Sequence, residues 1–179
     1  TGFVGQSLLD EAAREGVEIR ALTRRAQPPR AGVEWVRGDL ADREMLAALV
    51  RGAEAVIHVA GVVNAPDQAG FEAGNVKGTL NVVEAALAAG VPRLVHVSSL
   101  AAREPQLSTY GASKRRAEKI VAASGLDWTM VRPPAVYGPR DTEIFELFRA
   151  AKWGVVPMPR EGRSSLIHAQ DLARLLLAL

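Results

Sequence analysis

Thr1-Gly2-Phe3-Val4-Gly5 runs straight into Gln6-Ser7-Leu8-Leu9-Asp10-Glu11-Ala12, and this stretch decides the fold. Val4, Leu8, Leu9 and Ala12 recur at helical spacing, which predicts a helix over 3–15 stopped by Gly16. The first N–H groups of such a helix have no partner within it, and together with the helix dipole they favour an anion. Gly2 allows close backbone approach to a phosphate, and Gly5 lets the helix pack tightly on a neighbouring strand. Taken alone, the stretch reads equally as a helix start with two turn glycines. The first glycine of the usual dinucleotide pattern is not in the sequence.

Working outward, apolar runs of strand length alternate with helical stretches. Strands are expected over 17–22, 33–36, 55–60, 94–98 and 126–131. Helices are expected over 42–50 with Asp42 as cap, 71–89 ending at Gly90, 108–124, 143–152 and from Asp171 onward. Loops are expected over 23–32, 61–70, 100–107 and 132–141. This alternation defines an α/β, Rossmann-like, doubly wound parallel sheet. The opening turn should follow a strand, and Leu179 falls inside an apolar helix. We therefore expect the first strand and most of the C-terminal substrate region to lie outside the sequence. That strand is central in a doubly wound sheet, so a hole is expected beside its neighbours.

Composition narrows the function classes. The 179 residues suit one domain, and 48% hydrophobic with 23% charged residues is an ordinary soluble balance. No cysteine is present, which removes disulfides and thiolate metal sites. Three histidines without ligand spacing make no metal site. No apolar run reaches the ~20 residues of a membrane span. No basic-then-apolar leader opens the chain, so the reading is cytoplasmic by default. A net charge of +2 with 5% aromatics is no nucleic-acid footprint.

The residues at the predicted strand ends carry the chemistry. Thr23-Arg24-Arg25 follows the strand expected over 17–22, the second of the fold, with no acidic residue up to Gly32. An acidic residue there holds the ribose hydroxyl of NAD, whereas the forked donors of Arg suit the extra phosphate of NADP. NADP is therefore expected, with NAD possible; the competing reading is a solvated basic loop. Asp39 could accept from an adenine amino group or simply end a turn. Ala60 and Gly61 are small enough for a flat cofactor to lie against the backbone. Ser98-Ser99 ends a strand and is followed by Tyr110-Gly111-Ala112-Ser113-Lys114. Residues 110 and 114 lie one turn apart on a helix, placing a phenol beside an ammonium. The cation draws the phenol pKa down from about 10, so that Tyr110 can exchange a proton with a substrate oxygen during hydride transfer. The Ser99 hydroxyl could hold the same oxygen, and Asn75 could contact the cofactor or order water.

The motifs Thr1–Gly5, Gly38-Asp39-Leu40, 57–61, 75–81, Val97-Ser98-Ser99, Tyr110-Gly-Ala-Ser-Lys114 and 132–139 come in one order and spacing. Together they resemble the NAD-dependent epimerase/dehydratase family, the extended short-chain dehydrogenases/reductases. The resemblance covers nearly the whole chain. It implies an NAD(P)-binding Rossmann-like domain over 1–179, truncated at both ends, with 140–179 beginning the substrate-binding region. It also implies Ser99, Tyr110 and Lys114 as the catalytic triad, with Lys114 reaching the nicotinamide ribose. Gly2, Phe3, Val4 and Gly5 would lie at the pyrophosphate, Arg24 near the adenosine ribose, and Asp39 and Leu40 at adenine. Ala60 and Gly61 would flank the cofactor, Pro133 to Val136 would line the nicotinamide, and Arg140 would face a small-molecule substrate. A homodimer is a further implication, for which Leu147, Phe148 and the helix of Tyr110 are candidate surfaces.

The chain departs from the family in two places. The segment between Ser99 and Tyr110 is shorter than in many nucleotide-sugar epimerases, and no acidic residue follows Ser99 where dehydratases often place one. Three readings stay open: an oxidoreductase or epimerase acting on a hydroxyl/carbonyl pair, a non-catalytic sensor or assembly subunit on the same fold, and a nucleotide-sugar epimerase. His58 and His96 read as core or strand-end residues. His168 reads as structural before substrate-facing, and Trp35, Trp128 and Trp153 read as packing residues.

Overall fold

A computed structural model describes residues 1–154 and 164–179; residues 155–163, within the expected substrate region, lie outside the described residues. Helix α1 spans Phe3–Glu15 and ends where Gly16 turns into the left-handed region at φ 70°. Strands β1 (Ile19–Thr23) and β2 (Val33–Arg37) pair in parallel, Ile19 opposite Val33 and Thr23 opposite Arg37. Helix α2 (Arg43–Val50) follows, with the Asp42 carboxylate capping it through the Met45 amide. Strand β3 (Ala55–His58) is shorter than expected, and Val59 and Ala60 lie beyond its end. The long helix expected over 71–89 comes in three parts: α3 (Gln68–Phe71), a π-helical turn (Glu72–Lys77) and α4 (Gly78–Ala88). Strands β4 (Arg93–Val97) and β5 (Asp127–Val131) complete a parallel ladder β3-β4-β5. Between them runs α5 (Thr109–Ala122), capped by the Ser108 hydroxyl.

The stretch 132–141 departs from the sequence reading, which had it as loop. It contains β6 (Ala135–Tyr137), paired in parallel with β7 (Leu166–His168). Each strand has three residues, too few for a period to register. Helices α6 (Glu143–Lys152) and α7 (Ala169–Ala178) complete the described elements. The last helix starts two residues before the expected Asp171, because His168 caps it by accepting from the Gln170 amide at 3.3 Å.

The two faces of the sheet are covered by different helices. On one face Leu8 of α1 and Leu172, Ala173 and Leu176 of α7 bury Val95 and Val97. On the other, Val83 of α4 and Val121 of α5 cover Leu94. No ladder joins β1 to β3, and a cavity of about 910 Å³ lies between them, lined by Ile19, Ala21, Val56 and Ile57. Within each ladder the strands run parallel, and Arg24, Ala60, Gly61 and Ser99 follow the C-terminal ends of β1, β3 and β4.

Candidate functional site

The expected phosphate turn falls at the start of α1. Gly2 is the N-cap residue, no side chain caps the helix, and no acidic residue occupies the first turn. The space beside Gly2 and Gly5 is open: a β-carbon on either would meet nothing within 4 Å. A donor-rich helix start without a capping oxygen or a nearby carboxylate fits an anionic group. Arg24 is exposed just beyond β1.

Asp39 and Leu40 follow β2. Asp39 is exposed and its carboxylate accepts from the Ala41 amide at 2.7 Å, so it does shape a turn. Leu40 is held from two sides. The Asn81 amide donates to its carbonyl at 2.7 Å, and its side chain packs where a β-carbon on Gly78 would come within 2.7 Å. Beyond β3, Ala60 and Gly61 are exposed, and a β-carbon on Gly61 would come within 3.0 Å of the Asn75 side-chain oxygen.

Lys114 is the centre of the site. It is 4% exposed and donates to the Val97 carbonyl at 2.8 Å, at the end of β4. Burial pulls its pKa down to about 8, against a smaller opposing pull from Glu118. Tyr110, one turn earlier on α5, is half-buried with its ring 6.2 Å from that of Phe71. The chain just after β4 is tied to the segment before β6: the Leu100 amide donates to the Pro133 carbonyl at 2.9 Å. Ser99 caps a 3-10 turn (Leu100–Arg103) by accepting from the Ala101 amide at 3.2 Å. A β-carbon on Gly61 would stand 3.6 Å from the Lys114 ammonium, so β3, β4 and α5 meet at one point.

Asn75 occupies a different place from the cofactor contact the sequence reading allowed. It is 2% exposed, and its amide is used internally. It accepts from the Val62 amide at 2.7 Å and donates to the Val62 carbonyl and the Ser113 hydroxyl, both at 2.9 Å. Ser113 in turn donates to the Tyr110 carbonyl at 2.7 Å. The π-helical turn therefore clamps the Gly61–Val62 backbone to the helix that carries Tyr110 and Lys114. The Asn-x-x-x-x-x-Asn spacing 75–81 marked this helix in the sequence, but neither clamp partner carried a signal.

Two other expected residues sit apart. The Val136 side chain packs against the core formed by α1, α7 and β4. Arg140, with φ 74°, donates to the Asp10 carboxylate on α1 at 2.7 Å, and Arg30 bonds the same carboxylate at 2.8 Å. Sequence reasoning missed a buried ion pair too. Glu118, 2% exposed, accepts two 2.7 Å bonds from Arg132 and one of 3.0 Å from Arg115. Burial alone would raise its pKa, but these bonds, foremost that of Arg132, hold it below the usual carboxylate value. Among the described residues no cluster of candidate metal ligands occurs, and no helix is long and apolar enough to cross a membrane.

An anion-ready helix start, small residues after β3 and a buried lysine one turn from a tyrosine define a nucleotide-cofactor-binding α/β domain. The chain belongs to the NAD(P)H-binding family, whose profile matches residues 1–179, within the extended short-chain dehydrogenases. It is 45% identical over 185 residues to a ceramide reductase of Caulobacter vibrioides (strain NA1000 / CB15N), covering 99% of this chain and 58% of that protein. It is 32% identical over 166 residues to the 4-hydroxy-2-methyl-3-oxo-4-farnesyl-3,4-dihydroquinoline-1-oxide ketoreductase of Stigmatella aurantiaca, covering 79% of this chain and 50% of that protein. Its fold superposes on MoeE5 in complex with UDP-glucuronic acid and NAD with a TM-score of 0.84, at 28% identity, covering 98% of this chain and 68% of MoeE5. The chain thus spans between half and two thirds of the length of the reductases it resembles.

Proposed function

We propose that the protein is an NADP(H)-dependent reductase that converts a ketone to an alcohol, with Ser99, Tyr110 and Lys114 handling the carbonyl oxygen. The observation that carries this reading is the Lys114 ammonium, buried and fixed to the Val97 carbonyl one helical turn from Tyr110. Burying a cation is costly, which weighs against keeping one without a role, and perturbed titratable groups concentrate at functional sites. When bound, the nicotinamide cofactor supplies the hydride.

The chain's own residues supply the rest. The first turn of α1 would hold the pyrophosphate and Arg24 would meet the ribose phosphate, while Gly61, having no β-carbon, lets its backbone lie close to Lys114 and Asn75. Pro133, whose carbonyl accepts from the Leu100 amide, would border the nicotinamide, while Val136 and Arg140 are engaged by the core and by Asp10. The Ser99 hydroxyl orients the substrate oxygen. Tyr110 donates its phenolic proton to that oxygen as the carbonyl carbon is reduced, and Lys114 stabilises the phenolate left behind. Solvent then returns a proton to Tyr110.

The ceramide and farnesyl-quinoline reductases among the relatives support a ketone carried by a large apolar molecule. The nucleotide-sugar complex of MoeE5 favours a second reading, an epimerase. The segment between Ser99 and Tyr110 weighs against it, being taken up by two short 3-10 turns.

Tyr110→Phe in the full-length protein should lower turnover of a long-chain ketone with NADPH by ~10²-fold or more while leaving NADPH affinity within about twofold. Unchanged turnover would exclude the mechanism. Interconversion of sugar epimers without net oxidation would favour the epimerase. Arg24→Ala should erase most of the preference for NADPH over NADH, read by nicotinamide fluorescence titration; an unchanged ratio would remove Arg24 from the site.

A further inference from the structure

His96 lies mid-ladder on β4, opposite His58 on β3 in the parallel register. Its side chain shares a face with Leu94, two residues earlier, and that face is covered by α4 and α5. The two imidazoles stack with centroids 5.2 Å apart and planes inclined by 36°. His58 is anchored by a 2.9 Å bond to the Thr79 hydroxyl of α4. His96 is fully buried, and neither ring nitrogen has a hydrogen-bond partner. An unsatisfied buried polar group is unfavourable relative to an apolar residue of the same shape, so its presence needs a reason.

The reason offered by the fold is Lys114, whose ammonium bonds the carbonyl of the next residue, Val97. We propose that His96 is a positioning residue for Lys114: the His96–His58 pair forms a neutral polar floor beside the ammonium and sets the pH at which Tyr110 exchanges its proton. The inference rests on the redox reading above. Burial, and behind it the Lys114 charge, depress His96 to about 3. Burial, His96 and Lys114 hold His58 well below its ordinary value. Both rings therefore stay neutral at working pH, and their dipoles stand in for water around the ammonium.

Other charged groups lie on the elements packed here, Lys77 on the π-helical turn, Lys119 on α5 and the Arg93–Asp127 pair on β4 and β5 among them. On α5 itself are Tyr110, Glu118 and Arg115, the last bonded to Glu118. From the end of β5 comes Arg132, also bonded to Glu118. From the π-helical turn comes Glu72, paired with Arg116. Replacing His96 by an apolar residue would remove polarity next to Lys114, disfavour its charged form further and weaken its hold on the Tyr110 phenolate.

The test is a pH titration of the full-length protein carrying 13Cζ-tyrosine, with the Tyr110 resonance assigned by its loss in Tyr110→Phe. His96→Leu should raise the Tyr110 midpoint by about one pH unit, a tenfold change in the ionisation ratio. His96→Gln, which keeps an amide dipole there, should stay near the parent value, and NADPH affinity should hold in both. Should His96→Leu fail to fold, His96→Met carries the same expectation. An unmoved midpoint in the apolar variant overturns the proposal. A parent midpoint at the ordinary tyrosine value of about 10 overturns the Tyr–Lys reading beneath it instead.

Discussion

Lys114 shows what the site costs at the scale of one residue. Its folded pKa of about 8 lies below the ordinary lysine value of 10.5. The folded state therefore binds fewer protons than the unfolded state between those values, and stability rises with pH across that window. Below about pH 8 the full cost of burying the charge is present. Lys114→Met should remove that cost along with turnover, raising unfolding stability at pH 7 by about 1 kcal/mol once the lost bond to Val97 is counted. Denaturant melts at pH 7 and pH 9.5 check both signs: the parent should gain stability between the two pH values through this residue, and the variant should lack that gain. A variant less stable than the parent at pH 7 would mean that the lysine stabilises the fold rather than straining it.

At the scale of elements, the π-helical turn Glu72–Lys77 ties the Val62 backbone to the helix that carries Tyr110 and Lys114. Close packing fixes its path: a β-carbon on Gly74 would come within 2.3 Å of Val62. Asn75→Ala would strand the Val62 amide and loosen the Ser113 hydroxyl, which keeps its bond to Tyr110, so a loss of about 2 kcal/mol in stability is expected. Because Val62 follows Gly61, kcat should fall as well; thermal melts and steady-state kinetics on the same variant check the pair of effects. A stability loss with unchanged kcat would make the clamp structural only. How far such elements could be read depends on range. The α1 turn, β4 and α5 were legible because their signals are local: glycines around a helix start, an apolar run, and a Tyr and Lys one turn apart. The Asn75 clamp and the Glu118–Arg132 pair were not, because each joins residues 13 or 14 apart through the fold. The β6–β7 ladder escaped for a similar reason, as Val136 and Ile167 become partners only after the chain folds. Gly138, at φ 144°, belongs to the same contact: a β-carbon there would press on His168 at 3.0 Å.

Across the whole molecule, α7 closes the face of the sheet on which α1 begins the phosphate turn. Leu172 is fully buried in that layer, and Val4 of the first turn of α1 packs against the same cluster. Arg174 of α7 also reaches Glu11 of α1 at 3.1 Å, and Glu11 holds Arg14 as well. The C-terminal helix and the cofactor end of α1 therefore share one packed layer, and a cavity in that layer should be felt at the turn. Leu172→Ala should cost about 2–4 kcal/mol in denaturant unfolding without ligand. For the parent, NADPH at ~100 times its Kd should add about 2.7 kcal/mol. If packing by α7 positions α1, the same NADPH concentration should add distinctly less to Leu172→Ala, because the turn is no longer held in its binding geometry. Equal increments in the two proteins would mean that α7 supports the fold without reaching the cofactor turn, leaving the orientation of α1 to its own contacts with β4 and to the Asp10 bridges to Arg30 and Arg140.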